Sequence, residues 1–189
     1  MKQTIFKDSI FFDTFSNEEL HNKIKNILEQ EKISKRHNYK SNEGGFQTIN
    51  IKSPMIEKQI VDWSSIIINE ELFPHKPIKI SLLNLWINEN NKNNYNSIHV
   101  HPSSHLSGIY YIDVPLKSGN LFFYKYANDF LNLSSFFKNK EFHNKYEINN
   151  YKNQFIIFPS DLYHGVKINN SEKSRISISF NLKIEETLN

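Results

Sequence analysis

Apolar positions along the chain change their period once, near residue 78. Upstream, Leu20, Ile24, Ile27 and Leu28 recur at helical spacing, and so do Ile56, Ile60, Trp63 and Ile67. Each set falls on one face of an amphipathic helix. After a short strand, the first helix is expected to start in Ser16-Asn17-Glu18-Glu19 and to run to about Glu31. Those four residues read as a capping box, with the Ser16 hydroxyl and the Glu19 carboxylate satisfying free backbone donors. The second helix starts at Ser53-Pro54, with proline at its first position, and Pro74 and Pro77 end that region. The stretch between them, including Ser41-Asn42-Glu43-Gly44-Gly45-Phe46, reads as a polar loop.

From Ile78 the period is two, and eight short strands are expected. They are Ile78–Asn88, Asn96–His101, Leu106–Val114, Asn120–Lys125, Tyr146–Ile148, Phe155–Phe158, Tyr163–Ile168 and Arg175–Ile184. The asparagine-rich run from Asn88 to Asn96 reads as a polar loop, and Ala127–Lys145 as an insertion over one face. These elements predict a mainly β fold with flanking helices, a jelly roll (double-stranded β-helix) of two packed antiparallel sheets. The expectation is a single domain over residues 1–189, with 1–77 as helical support and 78–184 as the jelly-roll core.

Composition narrows the classes. The length of 189 residues suits one domain. Only 38% of positions are apolar, but 15 Phe and 9 Tyr can still build a substantial core. With no cysteine, a disulfide framework, a thiolate zinc site, an iron–sulfur cluster and a cysteine nucleophile are all excluded. No run is long and apolar enough to span a membrane, and the first residues lack a signal-peptide core, so a cytoplasmic location is expected. A net charge of +3 with scattered lysines argues against nucleic acid as the main partner and leaves room for a homodimer.

Candidate chemistry lies in the histidines of the strand region. His99 and His101 stand at i and i+2 of a predicted strand, so both imidazoles project from one face. His105 follows them, and His164 opens a distant strand. Such a set suits iron(II), zinc, copper or nickel, and three ligands leave positions open for substrate and water. Arg175 comes eleven residues after His164, and Ser177 follows on the same face. A guanidinium can grip a carboxylate bidentately while the hydroxyl donates one bond more, which suits an anionic co-substrate.

On these residues the chain resembles the 2-oxoglutarate- and iron(II)-dependent oxygenases, in particular the prolyl-4-hydroxylase-like branch and a small family found in bacteria and their phages. The resemblance runs from about Ser41 to Lys183. It is carried by Ser41–Phe46, Asn96…His99-Val100-His101-Pro102, Leu106-Ser107-Gly108-Ile109-Tyr110-Tyr111, Gly119-Asn120-Leu121, Phe158-Pro159-Ser160…His164 and Arg175-Ile176-Ser177…Asn181. It implies an oxidoreductase, a dioxygenase that hydroxylates an amino-acid or peptidyl substrate and releases succinate and CO2. It further implies iron(II) on His99, His101 and His164, and 2-oxoglutarate on Arg175 with Ser177 and Tyr111. His101 is the departure, because the superfamily has a carboxylate there. Asn84, Trp86, Asn96 and His105, with the 127–145 insertion, are candidates for the rim of the substrate pocket. Two alternatives stay open at this level. One is a cupin-like protein holding metal with His99, His101, His105 and His164; the other is a metal-free jelly-roll interaction module.

Overall fold

Strand β11 (Arg175–Glu185) organises the molecule, pairing antiparallel on both edges, with β4 (Lys79–Asn90) and with β6 (Leu106–Asp113). The computed structural model describes residues 8–38, 40–72, 78–124 and 145–185. Within them β11, β4 and β6 form the centre of a six-stranded sheet, the major sheet. Beyond β6 lie β9 (Gln154–Pro159) and β1 (Phe11–Thr14); beyond β4 lies the two-residue β3 (Phe46–Gln47). The minor sheet runs in the order β2 (Asn42–Glu43), β5 (Tyr95–His99), β10 (Tyr163–Val166), β7 (Leu121–Tyr124) and β8 (Lys145–Ile148). All of these pairings are antiparallel, as a jelly roll requires.

Helix α1 (Glu18–Ile33) and helix α2 (Pro54–Glu71) cover the outer face of the major sheet. The predicted apolar stripes are the buried faces. Leu20, Ile24 and Leu28 of α1, with Ile56, Ile60, Trp63 and Ile67 of α2, join Leu85, Ile87, Ile178 and Phe180 in one core. The rings concentrate here. Trp63 stacks on Phe15 at 4.7 Å between centroids and lies 5.0 Å from Tyr110 and 5.7 Å from Phe155. A second core fills part of the space between the sheets, from Ile109, Tyr111, Leu121, Phe123, Ile156, Phe158 and Val166. No described helix is long and apolar enough to cross a membrane.

Several boundaries differ from expectation, each for a local reason. The cap of α1 is Asn17, not Ser16: its Oδ1 accepts from the Leu20 N–H at 3.0 Å. Asn caps as well as Ser, and here it stands one residue nearer the helix. The Asn88–Asn96 run is a loop only in its middle. Asn88, Glu89 and Asn90 continue β4 because β11 offers them ladder partners in Ser177, Ile176 and Arg175. The turn is confined to 91–94, with Asn93 at φ 70°. Ser41–Phe46 is not plain loop either, since it contains β2 and the start of β3 around Gly44 at φ 77°. Strand β5 stops at His99, so His101 lies beyond it, tied by its N–H to the Ser160 carbonyl at 2.8 Å. The expected insertion lies outside the described residues except for Lys145, which opens β8.

Because three rings pack on Trp63, its replacement cannot be absorbed by neighbours. Trp63→Ala should cost about 3–5 kcal/mol of stability. Urea unfolding followed by far-ultraviolet circular dichroism checks this, and a loss below about 1 kcal/mol would show that the helices contribute little to the sheet.

Candidate metal centre and co-substrate pocket

Strand alternation decides which side chains of the major sheet meet the minor sheet. On β11, Ile176, Ile178, Phe180 and Leu182 join the core beneath the helices, so Arg175, Ser177, Ser179 and Asn181 turn the other way. Their partners on β4 are Asn90, Asn88, Trp86 and Asn84, and Tyr111, Ile109 and Ser107 of β6 pair with Ser177, Ser179 and Asn181. The result is a polar row across three strands, lying inside the jelly roll beside the apolar inter-sheet core.

Over this row the minor sheet brings three histidines together. His164 on β10 pairs directly with His99 on β5, and the His101 ring lies 4.8 Å from His99 and 5.0 Å from His164. One ring nitrogen from each lies within 4.8 Å of the others. The Nδ1–H of His99 points to the Ser97 carbonyl at 2.8 Å, and that of His164 to the Leu162 carbonyl at 2.9 Å. Those bonds hold the rings and leave Nε2 as the free ligand atom, as outer-shell carbonyls do in metal sites. Nε2 of His101 and Nε2 of His164 are 3.2 Å apart. Two nitrogen ligands at about 2.1 Å from one ion, at right angles, stand about 3 Å apart. Burial lowers the pKa of His99, and lowers that of His164 well below the ordinary value. His101 is pushed down to about 4 by burial, then by His99 and the Lys40 ammonium. All three are therefore neutral at pH 7, the protonation state a metal ligand needs.

The row beneath contains unpaired polar atoms. Arg175 is 1% exposed. Its Nη1 donates to the Ser118 carbonyl and, at 3.1 Å, to the Gly119 carbonyl, while its Nη2 is buried with no partner. Gly119 sits at φ 86°, and a Cβ there would run into the Lys167 carbonyl, so glycine is needed to present that anchor. The Tyr111 hydroxyl is also buried and unpaired, and burial raises its pKa although Arg175 opposes the shift. Asn88 donates from Nδ2 to the Ser179 hydroxyl at 3.0 Å and leaves Oδ1 unpaired. Unpaired buried groups cost about 1–3 kcal/mol each, so several at one spot suit it to accept the polar groups of a ligand.

His99, His101, His164, Arg175, Ser177, Tyr111, Trp86 and Asn96 line one narrow space of about 30 Å3 between the sheets. A larger cavity of about 730 Å3 opens on His99 and His101 and is walled by Asn84 and Trp86 among others. The Trp86 ring lies 5.5 Å from His101. A groove of similar size on the other side of the minor sheet, past Ile98 and Phe122, touches none of the histidines.

His105 does not join them. It is exposed, and its Nδ1 accepts from the Ile184 N–H at 3.0 Å, which ties it to the far end of β11. It lines neither space, so the four-histidine cupin-like arrangement is not assembled and His105 leaves the pocket rim. Asn88 and Ser179 are the inward residues the sequence reading missed. Period-two spacing from Asn84 and Trp86 signals Asn88, and spacing from Arg175 and Ser177 signals Ser179.

Comparisons with known proteins agree with this geometry. A family model described as "Putative 2OG-Fe(II) oxygenase" matches residues 84–181. No curated protein matches the chain by sequence. Among solved structures, a prolyl-4-hydroxylase from Pseudomonas putida is 10% identical with a TM-score of 0.62, over 95% of this chain and 94% of its own. The viral collagen prolyl hydroxylase of Paramecium Bursaria Chlorella virus-1, in complex with 2OG, is 12% identical with a TM-score of 0.57, over 90% and 94%. HygX of Streptomyces hygroscopicus, with nickel and 2-oxoglutarate bound, is 11% identical with a TM-score of 0.60, over 93% and 83%. At such identities the likeness is one of fold, and the fold is the jelly roll. The family match spans more than half of the chain, from Asn84 on β4 to Asn181 on β11, and takes in the histidines, Tyr111, Arg175 and Ser177, so the chain belongs to the 2-oxoglutarate- and iron(II)-dependent oxygenase family.

Proposed function

We propose that the protein is a dioxygenase that hydroxylates an amino-acid, peptidyl or other small substrate, holding iron(II) with His99, His101 and His164. The observation that carries this reading is the convergence of three neutral imidazoles above the unpaired Arg175 Nη2 and Tyr111 hydroxyl. In this reading Arg175 binds the distal carboxylate of 2-oxoglutarate, with Ser177 and Tyr111 as further donors. With both bound, iron(II) and 2-oxoglutarate supply the oxidation of a C–H bond by dioxygen, with release of succinate and CO2.

The chain's own residues then have separable tasks. Ser97 and Leu162 carbonyls fix the His99 and His164 tautomers. The Ser118 and Gly119 carbonyls hold one side of the guanidinium, so that the other side faces the ligand already oriented. Phe158 and Phe123 pack on His164, at 4.6 and 6.1 Å between centroids, and keep water from that flank. Trp86 and Asn84 line the larger cavity and bound the space left for the substrate. In support, the viral hydroxylase among the structural neighbours was crystallised with 2OG, and a Trichoplax adhaerens prolyl hydroxylase of the same fold with a peptide.

Two experiments test the reading. Anaerobic protein mixed with iron(II) and 2-oxoglutarate should give a weak visible charge-transfer band, and His99→Ala should lose stoichiometric iron. A missing band together with unchanged iron in His99→Ala would refute it. The co-substrate assignment has a sharper signature at Tyr111. Tyr111→Phe deletes an unpaired hydroxyl, so the ligand-free protein should become more stable by about 1 kcal/mol or more, while 2-oxoglutarate binds about tenfold more weakly. Arg175→Ala should weaken it further, by about 2–5 kcal/mol, with metal binding kept. Calorimetric titration with thermal unfolding reads all of these; a Tyr111→Phe protein that loses stability and keeps its affinity would assign the ring to packing.

A further inference from the structure

The cavity of about 730 Å3 beside His99 and His101 has an unusual electrostatic lining. Its walls are mostly carboxamides and hydroxyls, with the flat face of Trp86 as the largest ring. Among the described lining residues, Lys40 is the one that carries a charged side chain, apart from the histidines. Among the described residues, no Asp or Glu lines this cavity, and none lines the narrow space between the sheets. Gln47 also lines the cavity; it is 4% exposed, and its Oε1 is buried without a partner.

The metal centre adds to this field. All three candidate ligands are imidazoles, none of them an anionic carboxylate, so these side chains bring no negative charge to the ion. Iron(II) and the Arg175 guanidinium together exceed the charge of the 2-oxoglutarate dianion, and among the described lining residues no carboxylate makes up the difference. A site with low-dielectric walls focuses such an excess into its open mouth. A cationic substrate would meet repulsion from both the metal side and Lys40. A negative one would be drawn in, and Lys40 offers it a charge-assisted bond.

We propose that the substrate oxidised here is an organic anion whose negative group docks on Lys40, and that it carries an N–H or O–H for Gln47 to accept. This rests on the cofactor assignment above and adds the charge and hydrogen-bond pattern of the molecule that enters. A carboxylate of a free amino-acid derivative and the side chain of an acidic peptide offer the same chemistry, and the test separates them.

Cobalt(II)-loaded protein with 2-oxoglutarate, kept anaerobic, allows binding to be read without turnover, from the paramagnetic broadening of proton signals. The probes are matched pairs: N-acetylated, C-amidated aspartate against asparagine and glutamate against glutamine, and the same residues centred in short capped peptides. Within each pair only the charge changes. The carboxylate member should bind about tenfold more tightly than its carboxamide. Lys40→Glu should abolish or invert that preference, and Gln47→Leu should weaken both members alike. The arm with the larger preference, single residue or peptide, identifies the source of the anion. Equal broadening within every pair, or a preference that survives Lys40→Glu, overturns the proposal. The protons of 2-oxoglutarate serve as an internal control: if they are not broadened, the cofactor assignment fails and the proposal with it, whereas broadened 2-oxoglutarate with no charge preference overturns the proposal alone.

Discussion

Everything at the site depends on the register of β11 between β4 and β6. Side chains alternate along a strand, so a slip of one residue would turn Arg175, Ser177 and Ser179 toward the helices and Ile176, Ile178 and Phe180 toward the histidines. Burial on both faces forbids that slip. The helix side buries Ile178, Phe180 and Leu182 completely, and the other side has anchors for Arg175 in the Ser118 and Gly119 carbonyls. Gly108 serves the same end on β6, because a Cβ there would strike the Phe180 ring. The apolar core and the polar row are thus two consequences of one pairing, and the core beneath the helices holds the row in place.

The site itself combines two sheets in an unequal way. The major sheet supplies a stiff, hydrogen-bonded floor: Asn84 with Asn181 at 2.8 Å, Ser107 with Asn181 at 2.7 Å, and Asn88 with Ser179 at 3.0 Å. The minor sheet supplies the candidate metal ligands from shorter strands, and His101 comes from just past the end of one. In the proposed function the narrow space between the sheets takes the co-substrate and the wide cavity beside it takes the substrate. The unpaired Tyr111 and Arg175 atoms carry an energetic cost in the empty protein, which a bound carboxylate would remove.

Much of this was legible in the sequence, and the failures have physical causes. Period analysis found both helices and most strands because burial on one face leaves a pattern in the residues themselves. It missed the extension of β4 through Glu89 and Asn90, because an asparagine-rich run usually signals a turn, yet here both are buried with ladder partners on β11. The two-residue strands β2 and β3 are too short to carry a period, and only tertiary pairing with β5 and β4 defines them. The His99–His101–His164 set and the Arg175–Ser177 pair were visible from spacing and family resemblance. Spacing could not exclude His105, since nothing local reveals that its Nδ1 is bonded to the backbone of Ile184. Lys40 and Gln47 were not visible at all, because only tertiary pairing of the short strands β2 and β3 brings this segment, far away in sequence from the histidines, to the cavity wall.

In the proposed function His101 stands as third ligand where the superfamily has a carboxylate, and X-ray absorption at the iron edge of the anaerobic iron(II)–2-oxoglutarate complex reads that ligand. Outer-shell scattering counts imidazoles. The geometry predicts three in the wild-type protein and two in His101→Ala, with 2-oxoglutarate oxygens completing the inner shell. A wild-type spectrum that fits two imidazoles and a protein carboxylate, unchanged in His101→Ala, would contradict the assignment of His101 and with it the charge-poor metal centre described above.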